Sequence, residues 1–132
     1  MAIRRALRTL SHWLIRQGIG PSHRGTVQIV IAEVLNNVAE HAYRGTRAGP
    51  VTLLICICGA GLAVHVSDRG APMPGGQLPD CSAPDGPGAE AMNEGGYGLL
   101  LIRTLTRDLC YTRNGTCNNL RFLLPLLGDP RE

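Results

Sequence analysis

The chain has 132 residues, the length of one ordinary domain, and can bury a core without disulfides or a metal ion. Its composition, with 44% hydrophobic and 17% charged residues, is typical of a globular protein and not of a disordered one. The net charge of +3 comes from thirteen arginines that are spread along the chain, so no basic patch for nucleic acid is indicated. The chain contains no lysine, which excludes the P-loop and the eukaryotic-type kinase site, because each of these requires a lysine.

Two helices are predicted in the first third of the chain. Apolar residues spaced three and four apart predict a helix over 3–17, which Gly18 and the Gly20-Pro21 pair end. A second helix is predicted from a cap at Ser22 to about Tyr43, because its apolar residues form a single stripe. That stripe consists of Val27, Val30, Ile31, Val34, Leu35, Val38 and Ala42.

The period then changes to that of β-strands. Residues 51–58 and 62–67 are rich in aliphatic and β-branched side chains and predict a hairpin that is mostly buried on both faces. Cys56 and Cys58 lie on one face of its first strand, where we expect them to pack in the core as small hydrophobic residues. The five cysteines include no C-x-x-C pair and the four histidines stand apart, so neither zinc nor a disulfide framework is predicted.

The second half of the chain begins with an aperiodic segment over 70–96 that is rich in Gly, Pro, Ser and Asp. A segment of this length predicts a functional lid, about 71–94, or a disordered linker. A third helix over 98–105 and strands at 109–113 and 120–124, joined by an Asn-Gly turn, are predicted after it. This order predicts one α/β domain over 1–132, a two-layer sandwich with helices on one face of a mixed, mainly antiparallel sheet.

The chain is predicted to be soluble and cytoplasmic, with no membrane segment. The apolar stretch at the N-terminus is too short for a signal peptide, and the longest apolar run, 51–66, is interrupted by Gly59-Ala60-Gly61. Unpaired cysteines indicate a reducing compartment. The modest positive charge would suit an acidic partner or phosphate groups.

Two groups of polar residues are candidates for a site. Glu33, Asn36, Asn37 and Glu40 lie together on the face of the second helix opposite its apolar stripe, although an ordinary solvated face would have the same pattern. Asp68-Arg69-Gly70 directly follows a buried strand, where an aspartate can point into a crevice or simply form a turn.

A third candidate is the run from Glu94 to Leu99, which contains Gly95, Gly96 and Gly98 and leads into the third helix. Bare backbone N–H groups before a helix N-terminus form a natural anion site, but a glycine cluster is also an ordinary flexible loop. Each signal is weak alone, and the three in a fixed order are stronger.

These three motifs, Glu33 to Tyr43, Asp68 to Gly70 and Gly95 to Leu99, resemble the nucleotide boxes of the Bergerat-fold ATPases. The chain resembles in particular the bacterial anti-sigma-factor serine kinases, in the His-Ala-Tyr ending of the first box, the short chain and the Leu-Ile-Arg-x-Leu after the glycines. The resemblance covers about 3–124.

The resemblance implies a role for each motif. It implies that Glu33 is the general base on the attacking hydroxyl and that Asn37 binds the Mg²⁺ that bridges the phosphates. It further implies that Asp68 accepts the adenine amino group and that Gly70 allows close approach of the base. The remaining nucleotide-binding residues implied are Gly95, Gly96, Gly98 and Leu99.

The resemblance also implies a function, with ATP and Mg²⁺ as cofactors. The expected activity is transfer of the γ-phosphoryl group to a Ser or Thr of a small anti-sigma-antagonist protein, with a sigma factor as a further partner and a homodimer as the assembly. The alternatives are a nucleotide-dependent binding module that phosphorylates nothing and the ATPase half of a histidine kinase. The latter needs a phosphoacceptor helix, and the sequence has no plausible His box.

The sequence departs from its relatives at two places. Ala71-Pro72 stands where many relatives have a further glycine, which predicts a stiffer start to the lid. Relatives generally carry a strand before the first helix, so the sheet edge or a dimer surface is expected to differ here. We interpret His41 as packing near the site rather than as catalytic, and Tyr43 and Arg44 as solvated helix-end residues, with the nucleotide mouth as the alternative.

Overall fold

The helices and strands follow one another in the predicted order. The computed structural model describes residues 2–43, 49–59, 61–73 and 97–126. Its elements are helices α1 (Ala2–Arg16) and α2 (Pro21–Asn37), strands β1 (Val51–Cys58) and β2 (Gly61–Asp68), helix α3 (Tyr97–Leu105), and strands β3 (Arg107–Asn114) and β4 (Cys117–Pro125). The strands form one sheet in the order β1-β2-β4-β3, and every pairing among them is antiparallel.

The core lies between the helices and one face of the sheet, as expected for a two-layer α/β sandwich. The apolar stripe of α2 is buried against the alternate residues of β2 and β4 that point the same way, and Ile102 of α3 is fully buried with them. The buried residues from these elements include Val27, Val30, Ile31, Val34, Leu62, Val64, Val66, Phe122 and Leu124. The predicted fold class is therefore confirmed.

Helix α1 ends in a Schellman motif. The N–H of Ile19 donates to the carbonyl of Leu14 at 3.1 Å, and the N–H of Gly18 donates to the carbonyl of Ile15 at 2.9 Å. Gly18 has a φ of 77°, a left-handed conformation that glycine adopts without a Cβ penalty. The buried side chains of Leu14 and Ile19 complete the motif, so the predicted glycine stop is confirmed.

The start of α2 differs from the prediction. The N-cap is Gly20, which makes no side-chain capping bond, and Pro21 is the first helical residue. Ser22 therefore lies inside the helix and does not cap it. Proline suits this first position because its fixed φ is helical and its missing N–H would have no partner there.

The hairpin of β1 and β2 is much less buried than predicted. Leu54 and Ile57 of β1 are 55% and 52% exposed, and Cys56 and Cys58 are exposed as well. The prediction that these cysteines pack in the core is wrong. The two cysteines are exposed because β1 is an edge strand. In the described part of the chain, no layer covers the face of the sheet on which Cys56 and Cys58 lie.

Strands β3 and β4 are longer than predicted, beginning at Arg107 and Cys117. The predicted Asn-Gly turn is confirmed, with Gly115 at a φ of 60°. The first residues of both strands are mostly polar, so the hydrophobic pattern did not predict where the strands begin. Within the described residues, no helix is both long enough and apolar enough to cross a membrane.

Candidate functional site

The polar face of α2 divides into two pairs. Glu33 and Asn37, one turn apart, are half-buried, whereas Asn36 and Glu40 are exposed. An ordinary solvated face would expose all four side chains. The partial burial of Glu33 and Asn37 therefore separates the two residues assigned to chemistry from their neighbours.

A π-helical turn, Val38–Ala42, continues α2 directly after Asn37. The N–H of Tyr43 bonds to the carbonyl of Val38, five residues back, at 3.3 Å. The sequence predicted a regular helix to Tyr43, and nothing in its apolar spacing indicates the wider turn. Such turns are frequent at functional sites. His41 lies in this turn and is exposed, so its predicted packing role is wrong.

Glu33 lies against the first turn of α3. A Cβ added at Gly98, the second residue of that helix, would collide with the carboxylate oxygen Oε2 of Glu33. The backbone N–H groups of a first helical turn lack intrahelical partners and suit an anion such as phosphate. The structure thus brings the first and third motifs together at Glu33 and Gly98.

Asp68, at the end of β2, is 7% exposed. Its Oδ1 accepts two hydrogen bonds of 2.8 Å, from the N–H of Gly70 and from Nδ2 of Asn118. Its other oxygen, Oδ2, accepts none from the described residues. A simple turn aspartate would be solvated, whereas this carboxylate is buried and oriented, with one oxygen left to accept a ligand N–H.

Asn118 of β4 is the centre of a polar network that the sequence analysis missed. Its Nδ2 also donates to the carbonyl of Ala71 at 2.8 Å, and its Oδ1 accepts from the hydroxyl of Tyr111 and from Nη1 of Arg113. Arg113 further donates to the carbonyl of Gly70 at 2.6 Å. The sequence could have indicated this burial, because Asn118 is an even number of residues from the inward-facing apolar residues of its strand and therefore lies on the same face.

The second motif contacts the end of α2 at Gly70. A Cβ on Gly70 would collide with the carbonyl of Ala42, and the N–H of Ala71 donates to that same carbonyl at 2.6 Å. Glycine is therefore required here by close backbone approach. Tyr43, predicted as a solvated helix-end residue, is half-buried and accepts a 3.1 Å hydrogen bond from the N–H of Arg69.

The first residues of the predicted lid are attached to the sheet. The N–H of Met73 donates to the hydroxyl of Tyr111 at 2.9 Å. Leu99 is buried in α3. The remaining lid residues, 74–94, lie outside the described residues, as do Arg44, Gly95 and Gly96, so their predicted roles stay predictions.

No group of three or more His, Cys, Asp and Glu side chains occurs together in the described residues. Asn37 offers one amide oxygen on the half-buried side of α2. One or two protein oxygens are the usual share for Mg²⁺ that also binds substrate phosphates. The donor set is therefore of the right kind for the magnesium ion of a nucleotide complex.

Comparison with known proteins identifies the class. The family model of the histidine kinase-like ATPase domain matches residues 1–124. The chain belongs to this family, in agreement with the fold.

Several relatives are protein kinases by name. The chain is 34% identical over 88 residues to the serine-protein kinase RsbW of Listeria monocytogenes, covering 63% of this chain and 54% of that protein. It is 28% identical over 115 residues to the serine/threonine-protein kinase BtrW of Bordetella bronchiseptica, covering 87% and 80%. The chain therefore spans only about half the length of the Listeria relative.

A solved structure shares the fold. The blue-light activated histidine kinase EL346 of Erythrobacter litoralis superposes with a TM-score of 0.56 at 27% identity, over 82% of this chain and 32% of that one. This likeness agrees with the two-layer architecture described above.

The contact between Gly98 and Glu33 gives a first prediction. Gly98→Ala should force the carboxylate of Glu33 aside, because a side-chain end moves more easily than backbone. If Glu33 is the general base that the resemblance implies, phosphoryl transfer should fall by about 10²-fold, the cost of a misplacement of roughly 1 Å. The unfolding temperature should not fall, because alanine is the better helix former.

The matched control is Gly25→Ala in α2, where an added Cβ meets nothing within 4 Å. Steady-state kinetics and thermal unfolding of both variants separate the two effects. Full activity in Gly98→Ala would show that Glu33 does not depend on the space at this glycine.

Proposed function

We propose that the chain is an ATP- and Mg²⁺-dependent protein serine/threonine kinase whose substrate is a small anti-sigma-antagonist protein. The observation that carries the proposal is the buried carboxylate of Asp68, held through Oδ1 with Oδ2 left to accept a hydrogen bond. The kinase names of RsbW and BtrW support the activity. A sigma factor as second partner, a homodimer and a cytoplasmic location stay predictions from the sequence.

Each residue contributes one part of the reaction. Asp68 accepts the adenine amino group through Oδ2, and Asn37 supplies an oxygen to the metal ion. Glu33 would take the proton from the serine or threonine hydroxyl as that oxygen bonds to the γ-phosphorus. The bond between the γ-phosphorus and the oxygen that bridges it to the β-phosphate breaks, and ADP leaves with that oxygen. ATP supplies the phosphoryl group, and Mg²⁺ neutralises its charge when bound. The first turn of α3, with Gly95 and Gly96 before it, binds the phosphates.

The direct test is to incubate the protein with γ-labelled ATP, Mg²⁺ and the antagonist protein encoded beside its gene. We expect label on a serine or threonine of the antagonist and none in the absence of Mg²⁺. Tight ATP binding without any labelled partner would contradict the kinase and favour the nucleotide-dependent binding module. Label on a histidine of this chain would favour the histidine-kinase alternative.

Asn37→Ala tests the metal assignment separately. Loss of its oxygen should weaken Mg²⁺-dependent ATP binding by about ten- to a hundredfold, the range found when residues that support a bound metal are lost. The neighbouring Asn36→Ala is the control, because Asn36 is exposed. Titration calorimetry with and without EDTA measures the effect. If Asn37→Ala binds ATP equally well with Mg²⁺, the residue is not a metal ligand.

A further inference from the structure

The side chain of Asn118 has only one possible orientation in its network. Its Oδ1 accepts from Nη1 of Arg113, a guanidinium that can only donate, and from the hydroxyl of Tyr111. Its Nδ2 faces the carbonyls of Ala71 at 2.8 Å and Gly70 at 3.3 Å, which can only accept. An exchange of the amide oxygen and nitrogen would oppose donors to donors and acceptors to acceptors. Asn118 therefore presents an N–H group to whatever else lies beside Nδ2.

The remaining group beside Nδ2 is the carboxylate of Asp68, whose Oδ1 accepts from it at 2.8 Å. The second bond to Oδ1 comes from the N–H of Gly70, two residues along the chain, and forms a local turn. That local bond holds one oxygen but lets the carboxylate turn about it. The bond from Asn118, on another strand, removes this freedom and so fixes the direction of Oδ2. Asp68 and Asn118 are 7% and 5% exposed, so water competes little for the bond between them.

We propose that Asn118 is a positioning residue for base recognition, because it holds the carboxylate of Asp68 so that Oδ2 meets the amino group of an adenine base. The inference rests on the proposed function, since it takes Asp68 as the acceptor of that amino group. Asn118 donates to the carboxylate and to two backbone carbonyls, and its Oδ1 already accepts from Tyr111 and Arg113. It therefore acts through Asp68 and not by contact with the nucleotide.

The measurement is the preference for ATP over a purine nucleoside triphosphate that lacks the 6-amino group. The two nucleotides carry the same ribose and phosphates, so the ratio of their dissociation constants isolates the contact with the amino group. A partly unfolded sample loses affinity for both nucleotides equally, and the ratio keeps its meaning. In the unmutated protein we expect a preference of roughly 10- to 150-fold, the contribution of a hydrogen bond to a charged group, throughout the range from about pH 5.5 to about pH 8.5.

Asn118→Asp replaces the N–H donor by an oxygen and keeps the size of the side chain. At about pH 8.5 the new carboxylate repels Oδ1 of Asp68 and displaces Oδ2, so the preference should fall by about tenfold or more. Two carboxylates at this distance share a proton readily, and at about pH 5.5 the new side chain can donate to Oδ1 as the amide does. We expect the preference for ATP to return at this lower pH. Arg113 and Tyr111 face the other oxygen of the new side chain and donate to it in either state.

Asn118→Leu is the matched control for the effect of pH. Leucine is similar in size and continues the inward-facing apolar residues Leu120, Phe122 and Leu124 of β4, so it fits the packing of the strand. It offers neither a donor nor a proton, and its preference for ATP should be low at both pH values. Recovery at the lower pH in Asn118→Asp alone identifies the donor at this position as the cause.

Two results would overturn the role of Asn118 and leave the proposed function intact. The first is an undiminished preference for ATP in Asn118→Leu, or in Asn118→Asp at the higher pH, which would mean that Asp68 is oriented without the amide. The second is a loss in Asn118→Asp that does not recover at the lower pH, which would mean that Asn118 only supports the fold. Failure of the proposed function has a different signature, because the unmutated protein itself would then show no preference for ATP.

Discussion

Glu33→Ala should lower phosphoryl transfer to the partner protein by about 10²- to 10⁴-fold, the usual contribution of a positioned general base. ATP affinity should remain nearly unchanged, because Glu33 is assigned to the hydroxyl and not to the nucleotide. The half-buried carboxylate lies against Gly98 at the first turn of α3, beside the expected phosphates. Single-turnover kinetics with labelled ATP, at saturating partner protein, measures the chemical step.

Glu40→Ala is the matched control for Glu33→Ala. It makes the same chemical change seven residues along the chain, at a side chain that is exposed. We expect wild-type rates from this variant. If Glu33→Ala also transfers phosphate at the wild-type rate, the general-base role is wrong, and the face of α2 is an ordinary polar surface after all.

Gly98→Ala and Glu33→Ala also test each other. Both act on the same carboxylate, one by displacing it and one by removing it. The effects of residues that act as a unit are not additive. The double variant should therefore be no slower than Glu33→Ala alone.

The elements that were predictable from sequence are those with a strong hydrophobic period. The stripe of α2 and the glycine stop at Gly18 follow from local chemistry, and the structure contains both. The pattern also identified Asp68 as the end of a strand. These features depend on residues near one another in the chain, which is the information that periodicity contains.

The features that the sequence did not predict depend on which elements of the fold pack against one another. Cys56 and Cys58 are in an apolar strand, but whether that strand is covered depends on its place in the sheet. The strand order β1-β2-β4-β3 puts β1 at the edge, and the hydrophobic pattern does not contain that order. The π-helical turn after Asn37 is likewise invisible to apolar spacing.

The network around Asn118 could have been predicted from the sequence only in part. An amide in an inward-facing position of an apolar strand needs partners, because an unpaired buried polar group costs about 1–3 kcal/mol. The sequence alone could have marked Asn118 as a residue with buried partners. It could not have named Asp68 as the partner, because 50 residues separate the two and only the β2–β4 pairing joins them.

The hydrogen bonds of Asp68 determine the expected effect of Asp68→Asn on nucleotide binding. The amide oxygen of the new asparagine can replace Oδ1 and accept both bonds, from the N–H of Gly70 and from Nδ2 of Asn118. Its NH₂ group must then take the place of Oδ2. A donor would face the donor amino group of adenine, so a hydrogen bond is lost and two donors are left opposed.

We therefore expect Asp68→Asn to weaken ATP binding by about 1.5–3 kcal/mol, or roughly 10- to 150-fold. GTP binding should suffer much less, because guanine presents a carbonyl where adenine has its amino group. Equilibrium titration with both nucleotides measures the ratio. The control is Asp108→Asn, the same change at an exposed residue whose φ of 56° asparagine tolerates.

The nucleotide ratio separates a recognition role from a structural one. If Asp68 only anchored Gly70 and Asn118, the asparagine would keep both bonds, and any remaining loss of affinity would be the same for ATP and GTP, since both depend on the same backbone. A selective loss of ATP would instead require that Oδ2 contacts the base. Equal ATP affinity before and after the change would remove Asp68 from the site, and with it the observation on which the proposed function rests.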